Sequence, residues 1–380
     1  MNDARVGTYA LVIEHLSVGH SKRPLVRDID LSVRPGEVVA LIGPNGSGKT
    51  TILKTVAGLL APIDGSVRIF DQAIQDMPLQ QRARVLATLF TDRPKTELLR
   101  AKDIVDTGRY PYTGHLGILS EEDEHAVRVA MEATGTWDVR NRDFAHMSDG
   151  QKQRTLIART LCQEPRVLLM DEPTSYLDIR AQLDMLALLR AYAQNHACAI
   201  MLSLHQIDLA LKAADRLMCV KDGRVVAQGS PGAVMNADTV CALYGLEPQT
   251  YEPHFASVEL PAPDGEPKVF VVAGGGTGAA CFRALQRAGV PFAAGVLHAY
   301  DVDGILAAQL SMHVIYENGF EALTEQNLEA ARAAIDACDA LICTVERFGS
   351  ANARNAELLA YARSQGKPVY RSARDYLEKR

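Results

Sequence analysis

Gly43-Pro44-Asn45-Gly46-Ser47-Gly48-Lys49-Thr50 follows directly on the apolar run Val38-Val39-Ala40-Leu41-Ile42. A glycine, four residues and then Gly-Lys-Thr is the pattern of a phosphate-cradling loop between a buried strand and a helix. The glycines let the backbone turn tightly and aim successive N–H groups at phosphate oxygens, with the positive end of the following helix behind them. In that arrangement Lys49 bridges the β- and γ-phosphates and the Thr50 hydroxyl reaches Mg²⁺. The helical pattern Ile52-Leu53-Lys54-Thr55-Val56-Ala57 supplies the helix. The candidate nucleotide-binding set is therefore Gly43, Pro44, Asn45, Gly46, Ser47, Gly48, Lys49, Thr50 and Thr51.

The 380 residues are long for one core, so two domains are expected. A net charge of −6, with the basic residues spread rather than striped, gives no nucleic-acid-binding surface. Seven cysteines form an odd set without a Cys-x-x-Cys pair, and read as reduced thiols of a cytoplasmic protein. No signal peptide is apparent after Met1, and no window reaches the roughly 18 apolar residues of a membrane span. Work at a membrane would therefore go through a partner.

Residues 9–42 alternate apolar and polar positions in short runs, with turns at Gly19 and Pro35-Gly36, and read as a small antiparallel β-layer. From Thr51 to about Leu246, helical patterns alternate with short buried strands such as Val167-Leu168-Leu169-Met170 and Ala199-Ile200-Met201-Leu202. This predicts an α/β sheet with helices on its faces. Glu247 to Pro267 carries five prolines and no sustained period, which marks a linker. The expected organisation is a nucleotide-binding domain at 1–248, a linker at 249–267 and a smaller α/β domain at 268–380. The strands of the latter should be Val269–Ala273, Phe292–Leu297, His313–Tyr316, Ala340–Val345 and Pro368–Arg371.

Leu168-Leu169-Met170-Asp171-Glu172 is an apolar strand ending in two carboxylates, the Walker B pattern. At the carboxyl end of such a strand Asp171 would hold Mg²⁺, directly or through water, and Glu172 would polarise the water attacking the γ-phosphate. Between the two motifs lies Met147-Ser148-Asp149-Gly150-Gln151-Lys152-Gln153-Arg154. This stretch resembles the Leu-Ser-Gly-Gly-Gln signature of the ATP-binding cassette (ABC) ATPases. Asp171-Glu172-Pro173-Thr174 and Ser175-Tyr176-Leu177-Asp178 match that family's Walker B and D-loop, and His205 matches its switch histidine. The resemblance covers roughly residues 9 to 250.

The resemblance implies a P-loop ATPase: a RecA-like core with an antiparallel β-layer and a helical subdomain, followed here by a Rossmann-like α/β domain. It implies ATP and Mg²⁺ as ligands, with Lys49, Glu172 and His205 catalytic and Thr50 and Asp171 at the metal. In the family, the signature loop of one copy completes the ATP site of another, so Ser148, Asp149, Gly150 and Gln151 should act in trans in a homodimer. The adenine-stacking aromatic is replaced by His20, a smaller platform. The Q-loop glutamine is replaced by Thr91 or Asp92, either of which offers an oxygen to Mg²⁺ or its water. Asp149 replaces a signature glycine, as a capping residue or in a catalytic role.

Asp106-Thr107-Gly108-Arg109-Tyr110-Pro111-Tyr112-Thr113-Gly114 resembles a stretch in the ATPases of importers for ferric siderophores, haem and cobalamin. There it lies in the region that receives a coupling helix of the permease. The resemblance implies permease subunits, an extracytoplasmic binding protein and a peripheral place on the cytoplasmic face of the membrane. The competing reading is a soluble cassette ATPase associated with ribosomes or DNA. In residues 268–380, Gly274-Gly275-Gly276-Thr277-Gly278 suits a phosphate or dinucleotide contact, but lacks Lys-Thr and places Cys281 at the third glycine position. The stretch, with Thr344, Asn352 and Asn355, resembles nucleotide-binding domains of the cytokinin-activating and molybdopterin-carrier group. It reads either as a small-ligand sensor or as a packing domain.

Overall fold

A computed structural model of the protein describes residues 9–20, 23–90, 98–114, 117–248 and 250–379. The chain divides into two compact units, one running to Thr239 and the other starting at Val240. In chain order the first unit holds β1 (Leu11–His20), β2 (Arg23–Val33), β3 (Val38–Ile42), α1 (Lys49–Val56), β4 (Asp64–Ile69), β5 (Gln72–Ala73), α2 (Leu79–Val85) and β6 (Leu86–Leu89). Next come α3 (Ala101–Asp106), α4 (Glu121–Ala133), α5 (Asp149–Leu161), β7 (Val167–Asp171), α6 (Ile179–Asn195), β8 (Ala199–Ser203) and α7 (Ile207–Ala213). It closes with β9 (Arg216–Lys221), β10 (Arg224–Gly229) and α8 (Pro231–Val234), and α9 (Ala237–Tyr244) runs across the division.

Two sheets build this unit. One has the order β10-β9-β3-β8-β7-β6, parallel except for β10. Its strands β3, β7 and β8 are buried at every position, which is why they read as unbroken apolar runs. The other is antiparallel with the order β2-β1-β4-β5. The antiparallel layer expected from residues 9–42 is thus corrected in membership: β3 belongs to the parallel sheet, and β4 and β5, after the loop helix, complete the layer. Local periodicity could not show this, because the pairing of Ile13 with Val67 spans more than fifty residues. A core of Leu11, Ile13, Val39, Leu41, Ile52, Val56, Val67 and Ile69 fills the space between the layers.

In the second unit, β11 (Tyr251–Glu252) and β12 (Ser257–Val258) form a hairpin inside the stretch read as linker, and Tyr251 is buried. A βα alternation follows: β13 (Val269–Val272), α10 (Ala279–Arg287), β14 (Phe292–His298), α11 (Val302–Leu310), β15 (His313–Glu317), α12 (Glu325–Ala337), β16 (Ala340–Cys343), α13 (Asn355–Ser364), β17 (Val369–Tyr370) and α14 (Ala373–Leu377). All five expected strands are present. They form one parallel sheet in the order β15-β14-β13-β16-β17. The order reverses beside β13, the place at which open α/β sheets commonly bind ligands, and the loops after β13 and β16 are joined there by the Thr277 and Thr344 hydroxyls at 2.9 Å. Apolar clusters cover both faces, one around Phe282 and Leu285 and the other around Leu328 and Leu358.

Glu317, at the end of β15, is buried and organises the turn behind it. Its carboxylate accepts from the Thr324 amide at 2.7 Å, the Asn327 side chain at 2.9 Å and the Asn318 amide at 3.1 Å. Burial pushes the carboxyl up, but these donors outweigh it and hold it at about 2. A depressed folded-state value stabilises above the ordinary glutamate range, and that stability is lost as pH falls toward 2. Glu317→Gln is therefore expected to cost about 1–3 kcal/mol in urea unfolding at pH 7. The gap to the parent protein should narrow as pH is lowered from about 4.5 to 2.

Candidate active site

The glycine loop sits between β3 and α1, as the apolar run and the helical pattern require. Two of its glycines are obligatory. A Cβ on Gly43, at φ 150°, would stand 2.1 Å from the Val220 carbonyl oxygen, and one on Gly48, at φ 103°, would stand 2.6 Å from a Val26 methyl. Asn45 and Gly46 are exposed at the mouth, while Ser47, Lys49 and Thr51 are buried. The Ser47 hydroxyl has no hydrogen-bond partner among the described residues.

Lys49 curls back over the loop. Its ammonium donates to the Gly43 carbonyl at 2.8 Å and the Pro44 carbonyl at 3.0 Å. Burial lowers its pKa, and the carboxylates of Glu172 and Asp171 oppose that shift. The cation thus lies in a cradle where neutral carbonyls stand in for anionic ligands.

Asp171 ends β7 and joins three elements. Thr50 Oγ1, at the start of α1, donates to Asp171 Oδ2 at 2.7 Å, and Ser203 Oγ, at the end of β8, donates to Oδ1 at 2.6 Å. The Ser203 hydroxyl also accepts from the Glu172 amide at 2.9 Å. Glu172 itself has φ 52°, an unusual backbone state for a residue with a side chain. Its carboxylate lies 2.5 Å from His205 Nε2 and accepts from Ser175 Oγ at 3.0 Å. Because a carboxylate only accepts, Nε2 must carry the proton. Lys49, Thr50, Asp171, Glu172 and His205, separated by up to 156 residues, are thereby gathered at the carboxyl ends of β3, β7 and β8.

The remaining predicted residues lie on other elements. Ser148 caps α5 and forms a capping box with Gln151: Ser148 Oγ accepts from the Gln151 amide at 3.3 Å, and Gln151 Oε1 accepts from the Ser148 amide at 3.1 Å. Asp149 is the first residue of α5, and Gly150 follows it. Asp178 caps α6, accepting from the Ala181 amide at 2.8 Å. His20 is exposed at the end of β1. Thr91 and Asp92, the Q-loop candidates, lie outside the described residues.

Sequence reasoning passed over three residues. Ser203 lies two residues before His205, and its buried hydroxyl donates to the Asp171 carboxylate and accepts from the Glu172 amide. Gln153 is buried and donates to the Pro173 carbonyl at 3.0 Å, tying the signature helix to the turn after β7. Arg109 belongs to the importer-like stretch but is not presented to a partner. It is buried, paired with Asp123 at 2.8 Å and Glu164 at 2.8 Å, donates to the Cys162 carbonyl, and lies over the Tyr112 ring. Tyr110, beside it, is exposed.

A strand–loop–helix phosphate cradle joined to two strand-end carboxylates and a histidine defines a P-loop ATPase. The ABC transporter family matches at residues 26–175, and a family described only as the MJ0874 family matches at 292–380. An uncharacterized ABC transporter ATP-binding protein of Methanocaldococcus jannaschii is 39% identical over 278 residues, covering 73% of this chain and 96% of the relative. A cobalamin import ATP-binding protein of Halobacterium salinarum is 32% identical over 333 residues, covering 84% and 82%. A ferric enterobactin transport ATP-binding protein of Escherichia coli is 32% identical over 252 residues, covering 66% and 93%. Among solved structures, an ATP-binding subunit of an ABC transporter superposes with TM-score 0.53 at 28% identity, over 59% of this chain and 91% of that one. This chain belongs to the ABC transporter ATP-binding proteins, and it is an ATPase of that family. Among the described residues no helix is long and apolar enough to cross a membrane.

Ser203→Ala removes one buried hydroxyl that serves two partners. It should cost about 1–3 kcal/mol of stability and lower the turnover of the folded protein, whereas Ser203→Thr should retain most of both. Thermal melts paired with steady-state ATP hydrolysis check this.

Proposed function

We propose that this chain is the ATP-hydrolysing subunit of a membrane importer for a metal chelate, with iron-siderophore, haem and cobalamin the candidate cargo class. Residues 1–248 are the cassette, 249–267 the connection and 268–380 an accessory domain. The observation that carries the reading is the hydrogen-bonded chain from Thr50 through Asp171, Ser203 and Glu172 to His205 at the strand carboxyl ends, with the Lys49 ammonium held beside it on the phosphate loop. The import direction is supported by the relatives named for cobalamin and ferric enterobactin, and by the Gly108-Arg109-Tyr110-Pro111 stretch. A permease, an extracytoplasmic binding protein and a peripheral place on the cytoplasmic face of the membrane complete the reading.

ATP lays its phosphates on the loop amides, and the Lys49 ammonium exchanges the Gly43 and Pro44 carbonyls for β- and γ-oxygens. That exchange returns an anionic partner to a buried cation. The donor set suits Mg²⁺: the Thr50 hydroxyl and an Asp171 oxygen are hard ligands 2.7 Å apart beside Lys49. Thr50 would hold the ion directly and Asp171 directly or through water. When bound, it neutralises charge on the phosphate oxygens. Glu172 then takes a proton from the attacking water while that oxygen bonds to the γ-phosphorus and ADP leaves. His205, donating through Nε2, fixes the carboxylate beforehand and orients it and the water.

One cassette supplies half of the surroundings. The Ser148 hydroxyl and the α5 N-terminus are exposed anion donors suited to the γ-phosphate of a second copy. Tyr176, Ile179 and Leu183 flank Asp178 and are all exposed, an apolar strip at the D-loop suited to burial between two copies. Loss of the γ-phosphate then opens the pair, which is the mechanical step.

Glu172→Gln should bind ATP, persist as a closed dimer in gel filtration and lose 10²- to 10⁴-fold in turnover. Hydrolysis at the parental rate would remove Glu172 from the role of base. Lys49→Ala should weaken ATP binding at least tenfold, about 1.4 kcal/mol, in a nucleotide titration. For the cargo class, the reconstituted transporter should show ATPase stimulation only with a binding protein loaded with the right chelate. No stimulation by any metal chelate would remove the import reading.

A further inference from the structure

In the second unit, β13, the Gly274–Gly278 loop and α10 repeat the strand–glycine loop–helix form of the ATP cradle. The chemistry inside is reversed. The amides of Gly274 and Gly278 both donate to Asp303 Oδ2 at 2.9 Å, and the Gly275 amide donates to Asp301 Oδ2 at 2.8 Å. Asp303 is wholly buried, and Asp301 braces it by accepting from its amide at 3.0 Å. The N–H groups that a phosphate would use are filled by carboxylates of the same chain. A phosphate arriving there would find two negative charges and the amides already engaged.

Next to Asp301 lies a cavity of about 220 Å³, lined by His298, Tyr300, Asp301, Gly319, Phe320 and Ala351. It is smaller than the roughly 300–1,000 Å³ of sites for drug-sized ligands. Two aromatic side chains stand at it in the open, Tyr300 78% and Phe320 96% exposed. Phe320 is held at φ 67°, a costly state for a bulky residue. Its turn is the one that Glu317 fixes from beneath. Tyr300 packs so closely on Gly319 that a Cβ there would stand 2.9 Å from the ring. His298 donates from Nε2 to the Glu321 carbonyl at 2.8 Å, so it is tied to the same turn. Among the described residues that line it there is no lysine or arginine.

We propose that this crevice binds a small organic cation with a flat ring, an aromatic amine, and excludes phosphorylated ligands. The ammonium sits on the free lone pairs of Asp301, and the ring lies between Tyr300 and Phe320, where cation–π and stacking contacts act together. The glycine loop serves as a scaffold that presents Asp301. The site is separate in chemistry from the ATP cradle of the first unit, where the loop's own cation awaits an anion.

Tryptamine is the probe, titrated calorimetrically into the full chain, with indole-3-acetate as its ring-matched anion and inorganic phosphate as the competitor for the loop. Tryptamine should bind with Kd below about 1 mM, and both anions at least tenfold more weakly. Asp301→Asn, which keeps one acceptor for the loop, should weaken tryptamine at least tenfold. Phe320→Ala, at an exposed side chain that makes no core contact, should weaken it several-fold with an unchanged melting temperature. The proposal is overturned if tryptamine fails to bind at 10 mM, if indole-3-acetate or phosphate binds as tightly, or if Phe320→Ala leaves the tryptamine titration unaltered.

Discussion

One carboxylate ties the ATP site together. Asp171 takes the Thr50 hydroxyl on one oxygen and the Ser203 hydroxyl on the other, so the helix of the phosphate loop and the ends of β7 and β8 are locked in one register. Ser203 then passes that position on to the Glu172 backbone, and Glu172 holds His205. Thr50, Glu172 and His205 are therefore positioned by reference to a single buried acid, while Lys49 is held separately by the carbonyls of its own loop. Where the bond is buried, as between Ser203 and Asp171, it must be kept, because an orphaned partner costs more than the bond contributes. The chain of bonds also explains why residues far apart in sequence act as one unit.

The protein uses one backbone form for two opposite purposes. In the first unit the loop between strand and helix carries a lysine folded onto its own carbonyls, with its pKa lowered by burial. In the second, the corresponding amides are taken by Asp301 and Asp303. A glycine loop at a helix N-terminus attracts negative charge in both cases. Whether that charge is a substrate or part of the chain depends on an acid about thirty residues further on. The reading of Gly274–Gly278 as a phosphate contact rested on the loop alone, and the acid that fills it belongs to the next βα connection.

The Arg109 cluster makes a similar point about the importer-like stretch. Arg109 lies against the face of the Tyr112 ring and pairs with Asp123 and Glu164, so a phrase that looks like a recognition motif is partly a packing device. Its arginine joins α4 to the end of α5, and through Gln153 the start of α5 is joined to the turn after β7. The exposed Tyr110 is what that rigid support displays.

Much was legible in the residues themselves. The glycine spacing before Lys49 specified a cradle because only certain backbone angles and a Cβ-free approach to Val220 and Val26 allow it. The unbroken apolar runs at Val167–Met170 and Ala199–Leu202 specified buried strands of an α/β sheet, and the alternation of strands and helices after Val269 specified the second sheet, because burial on both faces leaves a local signature. The run at Val38–Ile42 reads by sequence as part of the antiparallel layer, and only its pairing with β8 and β9 places it in the parallel sheet. What the chain's order could not show was contact across distance. The return of β4 to β1, the hydroxyl of Ser203 on Asp171, the burial of Arg109 and the acids inside the second glycine loop each join segments whose partners carry no local mark. Backbone geometry and burial are written into neighbouring residues. Which side chain fills which cradle is settled only when the sheets bring distant strand ends together.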